Sequence, residues 1–365
     1  TMASGLSSIL ALGIIERDTN SDVMLTWSYP IIEPEVEPVL ISRSNLEGEY
    51  VPFTFSKFNN QWIYIVSSPV EHEEEEPTSG DEEDKTLSDT GKEYSGPLGR
   101  VEAFSICMLC KDYNPEMYAT LCKLFVGVYK KTGTPINVLQ GFLRVLTSGT
   151  VGEFDKDDFP ARDALLATSI KDIIKIFGIE IILLWTALMM KKRVVVYCDK
   201  SSTLLRVIRS FPLFIWHRRD WDLLHPFTNM NDNEIEELKK ARVYCAGFTD
   251  PEIKNRSNLY DLFIDLNERA ISVSEHAKGD FRMGSFHKDL GEFLVECSED
   301  EEMSDLDTIK ELAIKTKELI DKLKTLEVED DEGNQIITLE ALQNLPANMQ
   351  QFLFAVASAE GLTRQ

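Results

Sequence analysis

Apolar positions are densest between Ser169 and Phe227, and the rest of the chain reads as arranged around that stretch. Ile170, Ile173, Ile174 and Phe177 recur at helical spacing, with Gly178 as the stop. Ile179 to Met190 is apolar nearly all round, which predicts a helix buried on every side. Lys191, Lys192 and Arg193 close it, where cations suit the negative end of a helix dipole. Val194 to Tyr197 is a continuous β-branched run, the pattern of a strand covered on both faces. Helix, basic turn, buried strand and a further helix together predict an α/β core.

Upstream, Ile9–Glu16 and Val23–Tyr29 are strand-like runs joined by the polar RDTNSD cluster, a hairpin signal. Alternation puts Val23, Leu25, Trp27 and Tyr29 on one expected face, and Pro30 and Pro34 end the run. A short helix is expected over Val36–Ser42, then strands over Tyr50–Phe58, Trp62–Ser67 and Val101–Cys110, with Asn59-Asn60 as a turn. Helices follow from Asn114 to Lys131 and from Pro135 to Leu146. Strands first and helices after predict an α+β unit. Thr147–Phe159 reads as a linker.

Beyond Phe227, Asn231-Asp232 caps a helix to Lys240, and Val243–Thr249, Leu259–Leu266 and Ile271–Ser274 read as strands. From Asp280 the pattern is helical. Phe281, Phe286, Leu290, Phe293 and Leu294 suggest one helix. Ile309, Leu312, Thr316, Leu319, Leu323 and Leu326 form a heptad seam too short for a free coiled coil, so a helix packed on its own domain is expected. Glu340–Leu345 and Gln350–Glu360 complete the helical end.

Charge changes the picture locally. The formal net charge is −24, but Glu71–Tyr94 carries eleven acids against two lysines and Glu296–Glu332 fifteen against five, leaving the body only mildly acidic. Ser68–Arg100 is acid-rich with few apolar residues and is expected to be a disordered insertion. A nucleic-acid function would need a basic stripe, and the short Lys191–Arg193 and His217–Arg219 clusters do not make one. Anionic membrane would repel such a chain, and the longest apolar run is short of a membrane span. With no basic run before the early apolar residues, no signal peptide is expected.

Enzyme signatures fail. No GxxxxGK[ST], GxGxxG after a strand, GxSxG or HExxH is present. Around Gly333 a calcium loop would need a carboxylate where Leu339 stands. Cys107 and Cys110 have CxxC spacing, but on a strand that spacing puts the thiols on opposite faces. His217 and His225 flank Trp221 without a paired nucleophile. No catalytic residue, cofactor or metal site is expected, and the chain reads as a protein that acts by binding.

FPLFIWHRRDWDLLHPF, with the buried helix and KKRVVVYCD before it, resembles the central region of DENN domains, with Pro212, Trp216, Trp221 and Pro226 on the pattern. ERDTN, WSYP, KDYNPEMYA, SIKDI, TALMMKKRVVVY, IWHRRDW and VYCAGFTDPE are similar, in order and spacing, to the DENN domain-containing protein 10 subfamily. The similarity covers nearly the whole chain, although the acidic insertion is longer than that pattern. It implies a fold of α/β and α+β class, a tripartite DENN module. Residues 1–150 would be a longin-like unit with the disordered insertion at 68–100, 151–275 a central α/β unit and 276–365 a helical unit.

The resemblance further implies a regulator of Rab GTPases in endosomal trafficking, an exchange factor that clamps the nucleotide-free GTPase. The alternative is a non-catalytic adaptor docking on the coiled-coil subunits of the Commander endosomal recycling complex. Either would be cytoplasmic and peripheral to late endosomes. Candidate contacts are Trp27 and Tyr29, aromatic types favoured at binding hot spots. Ser169, Lys171 and Asp172 open the central unit, and Arg218, Arg219 and Asp220 are expected to be exposed charges between buried tryptophans.

Overall fold

The computed structural model describes residues 5–48, 50–71, 97–329 and 333–364. Most of the expected acidic insertion lies outside the described residues. The chain forms two compact units, Thr1–Ala164 and Leu165–Gln365.

The first unit is a five-stranded sheet with helices on both faces. Its strands are β1 (Ile9–Asp18), β2 (Val23–Tyr29), β3 (Phe53–Phe58), β4 (Gln61–Pro69) and β5 (Val101–Cys110), and helix α1 (Glu37–Ser44) lies between β2 and β3 in sequence. Strand order is β2-β1-β5-β4-β3, every pair antiparallel. The β3–β4 turn puts Asn59 and Asn60 at φ of 49° and 58°, the left-handed pair a two-residue hairpin needs. One sheet face, with Ala11, Ile15, Ile63, Ile65, Cys107 and Leu109, packs on Val39 and Leu40 of α1.

Helix α2 (Pro115–Thr132) covers the other face, stacking Tyr118 on Tyr64 at 4.6 Å and setting Tyr129 edge-on to Phe104 at 5.0 Å. Asn114 starts α2 by accepting the Met117 N–H, and Gly133, at φ 60°, ends it. Helix α3 (Pro135–Ser148) buries Val138, Phe142 and Val145. The stretch read as a linker contains a small hairpin, β6 (Thr150–Val151) with β7 (Phe154–Asp155), held by Phe154 stacked on Phe159 at 5.6 Å. Helix α4 (Ala161–Leu165) follows.

One strand face differs from its reading. Trp27 lies opposite Ile14 but Leu25 opposite Ile15, so Thr26 has no counterpart in β1 and forms a bulge. Val23 and Leu25 therefore pack on the α1 face, while Trp27 and Tyr29 turn to the face that carries α2 and α3. Alternation holds only while each residue has one partner.

The second unit opens with α5 (Ile170–Phe177) and α6 (Ile181–Met189). The sheet strands are β8 (Val194–Tyr197), β9 (Leu224–His225), β10 (Cys245–Phe248), β11 (Leu262–Asp265) and β12 (Ala270–Val273). Their order is β12-β11-β8-β10-β9, with β8 parallel to both β10 and β11 and β12 antiparallel at one edge. Val194, Val195 and Val196 are fully buried, as the unbroken β-branched run requires. Helices α7 (Ser201–Ile208) and α8 (Asp232–Lys240) connect the strands.

Helix α6 is buried as expected but starts two residues late. Gly178, at φ 55°, breaks the path from α5, and Ile179 sits in a 3₁₀ turn about half exposed. The helical end comprises α9 (Ser285–Glu299), α10 (Asp305–Lys324) and α11 (Ala347–Ala359), with a pair of two-residue antiparallel strands, β13 (Val328–Glu329) and β14 (Gln335–Ile336), that the pattern did not suggest. Glu340–Leu345, expected as a helix, holds only a 3₁₀ turn over Glu340–Leu342. The α10 seam buries Ile309, Leu312, Thr316, Leu319 and Leu323, so it is a packed helix. Trp185 of α6 lies 6.2 Å from the Phe286 ring and 5.9 Å from Phe352 of α11.

His287 joins this aromatic cluster, 4.6 Å from Phe352, and its Nδ1 accepts the Gly284 N–H at the start of α9. Burial holds its pKa down to about 4. An unfolded chain therefore takes up this proton first, near pH 6.5, and stability of the second unit is expected to fall as pH drops from about 6.5 through 4. His287→Gln keeps an acceptor for the Gly284 N–H but cannot titrate. Urea unfolding followed across that pH range is expected to show a flatter profile for this variant.

Candidate functional site

Strand β2 is an edge of the first sheet, and its sequence VMLTWSY carries no charge. A cis bond joins Tyr29 to Pro30. Beyond it Ile31 is 92% exposed, and Met24 and Tyr29 are also exposed. The Tyr29 ring meets Phe142 of α3 edge-on at 6.4 Å, one residue from exposed Leu143. Ile136, seven residues before Leu143 and so on the same flank of α3, is exposed as well. Trp27 is half-buried. Exposed aromatic and aliphatic side chains at an uncharged sheet edge make a surface suited to binding protein.

Ser169 and Lys171 serve the fold. Ser169 Oγ accepts the Asp172 N–H at 3.1 Å, capping α5, and donates to Asp305 Oδ1 at 2.8 Å. Asp305 Oδ1 also accepts the Lys171 N–H at 3.0 Å. The Lys171 ammonium donates to the Asp300 and Met303 carbonyls, each at 2.6 Å, where α9 ends. These contacts fasten α5 to the α9–α10 connection. Asp172 is exposed.

The expectation of exposed charges over 218–220 holds only for Arg219. The Arg218 side chain is 10% exposed and its guanidinium donates to the Leu188 and Met189 carbonyls at 2.6 and 2.7 Å, the last residues of α6. It also donates to Glu360 Oε1 at 2.9 and 2.6 Å, and His217 Nε2 lies 3.2 Å from the same oxygen. Partial burial opposes ionisation of Glu360, but the His217 hydrogen bond and the Arg218 charge outweigh it and hold its pKa near 2. Exposed Arg219 lies over the half-buried Trp216 at 5.4 Å, and Asp220 accepts the Asp222 N–H at 2.9 Å. Trp221 is buried and meets Trp216 edge-on at 6.0 Å.

Among the described residues, no group of three or more His, Cys, Asp or Glu side chains is placed to hold a metal ion. All six cysteines are free and buried, and burial raises the Cys107 pKa to about 12. Cys107 and Cys110 lie on opposite sheet faces, the first against α1 and the second beside Tyr118 and Cys122 of α2. No helix among the described residues is long and apolar enough to cross a membrane.

Residues 167–275, from the approach to α5 through β12, match the family profile described as stabilization of polarity axis (SPA). Over an alignment of 371 positions the chain is 43% identical to DENN domain-containing protein 10 of Dictyostelium discoideum, covering 99% of this chain and all of that one. Its namesakes in Danio rerio and Homo sapiens are 38% and 35% identical, each match covering 98% of this chain and 98% and 97% of theirs. The chain belongs to the DENN domain-containing protein 10 family. In this DENN protein the matched SPA segment contains the buried α6–β8 unit and the Arg218 brace.

Sequence reasoning missed Ile31, Ile136 and Leu143. The available signal was α3 itself, whose PINVLQGFLRVL has more apolar residues than one buried face accepts. It also missed Asp305 and Glu360, which stand 136 and 142 residues from Ser169 and Arg218 and give no local sign of the pairing.

Proposed function

We propose that this DENN protein is a regulator of Rab GTPases in endosomal trafficking, acting as a guanine-nucleotide exchange factor. The reading keeps the three-part module, with longin-like, central and helical parts dividing near residues 150 and 275. The single observation that carries it is similarity over the full length to DENN domain-containing protein 10 relatives. The exposed Tyr29, Ile31 and Ile136 offer apolar anchors to a protein partner. Exchange of this kind requires no covalent step. A protein that binds the nucleotide-free GTPase better than the loaded form shifts the equilibrium toward nucleotide loss by that difference in affinity.

The test is release of a fluorescent GDP analogue from a panel of purified Rab GTPases. At least one member is expected to release nucleotide faster, by about tenfold or more, and Ile31→Asp with Tyr29→Asp is expected to cut that gain severalfold. No acceleration for any member sinks the exchange reading.

A second reading has its own support, because Ser169, Lys171 and Arg218 are spent on internal contacts and are not free to grip a GTPase. In that reading the protein is a non-catalytic adaptor docking on the coiled-coil subunits of the Commander complex, peripheral to late endosomes. Tight binding to those subunits without any nucleotide release would favour it.

A further inference from the structure

Helices α9, α10 and α11 leave an apolar groove of about 460 Å³ between them. Its floor is Phe286, Leu290, Leu323, Leu326, Met349 and Leu353, of which Phe286, Leu326 and Met349 are only half-buried. Four exposed charges stand on its rim: Asp289 on the α9 side and Lys315, Glu318 and Lys322 on the α10 side. Asp289, Glu318 and Lys322 have no ion pair among the described residues, and the Lys315 ammonium lies over the Phe293 ring at 4.3 Å. An apolar centre with a charged rim is the layout of a protein interface.

We propose that this groove receives one amphipathic helix of a protein partner, acidic along the flank that meets α10. The rim decides the occupant. Lys315 and Lys322 are seven residues apart on one wall, two helical turns or about 10 Å, which is the spacing of acids at successive heptad positions. An acyl chain has a single polar end and cannot answer both lysines together with Asp289 opposite. Leucine, phenylalanine and the adaptable Met349 suit the i, i+3, i+4, i+7 anchors of a docked helix. The acidic residues 72–96 offer only Leu87 and Tyr94 as large apolar side chains, too few for such a stripe. This inference goes beyond the proposed function and holds whether or not the protein exchanges nucleotide.

The probe is a designed helical peptide of about 18 residues with leucine on one stripe and two glutamates seven apart beside it. Its twin carries lysines in place of those glutamates. Fluorescence anisotropy with the full chain is expected to show the glutamate peptide binding at least about tenfold more tightly than the lysine peptide. The Lys315→Glu, Lys322→Glu chain is expected to reverse that order, which a folding defect cannot do. Met349→Lys is expected to abolish binding of both peptides. Equal binding of the two peptides, no binding of either, or an unchanged order in the charge-swapped chain overturns the proposal. So does a dimer of the protein that Met349→Lys dissolves, since a second copy would then be the occupant.

Discussion

Trp185→Ala is expected to destabilise residues 165–365 by about 4 kcal/mol, the largest loss from any single truncation here. The side chain is fully buried in the middle of α6, which touches β11, β12 and α9. Its ring closes the cluster with Phe286 and Phe352. Removing an indole from that position leaves a cavity lined by Phe286 of α9 and Phe352 of α11, both distant from α6 in sequence, so the site cannot collapse by moving one of them. The indole Nε1 has no hydrogen-bond partner among the described residues, so the loss is one of packing. Urea unfolding at neutral pH, followed by circular dichroism, measures it. Trp185→Phe refills most of the volume and is expected to cost less than half as much. A loss below about 1 kcal/mol for the alanine variant would mean that α6 is not the element the helical end packs around.

Arg218→Ala is expected to cost about 3 kcal/mol in the same measurement. The guanidinium satisfies two terminal carbonyls of α6, places positive charge at the negative end of its dipole, and neutralises Glu360. Truncation leaves a largely buried carboxylate with His217 as its remaining partner. Glu360→Gln keeps an acceptor without the charge and is expected to lose clearly less than Arg218→Ala. Equal losses for the two variants would show that the charge, and not the carbonyl contacts, holds α11 against α6.

These two effects also show where sequence pattern is informative and where it stops. Burial of α6 follows from a run apolar on all sides, and the parallel core strand from an unbroken valine run, because both are local statements about what water must not touch. The Asn59-Asn60 turn, the Asn114 cap and the Gly178 break are equally local. What failed to show is what depends on a distant partner. Thr26 looks like any alternating strand residue until β1 lies beside it. Arg218 looks like a surface charge until Glu360 closes on it. The candidate contacts divide the same way: Tyr29 is exposed, whereas Ser169 and Lys171 turned out to be fasteners because Asp305 and the end of α9 accept their donors.

The burial of α6 has a consequence during synthesis. Its residues 181–189 leave the ribosome well before Phe286 and Phe352, which cover Trp185, have been made. At roughly 5–20 residues per second the interval is roughly ten to thirty seconds. Until Phe352 is made, the Trp185 ring of this most apolar helix lacks part of its cover, even though β11, β12 and α9 are already there to pack on the rest of α6. Chaperone capture is expected to peak on chains halted between these two points and to vanish once α11 has emerged.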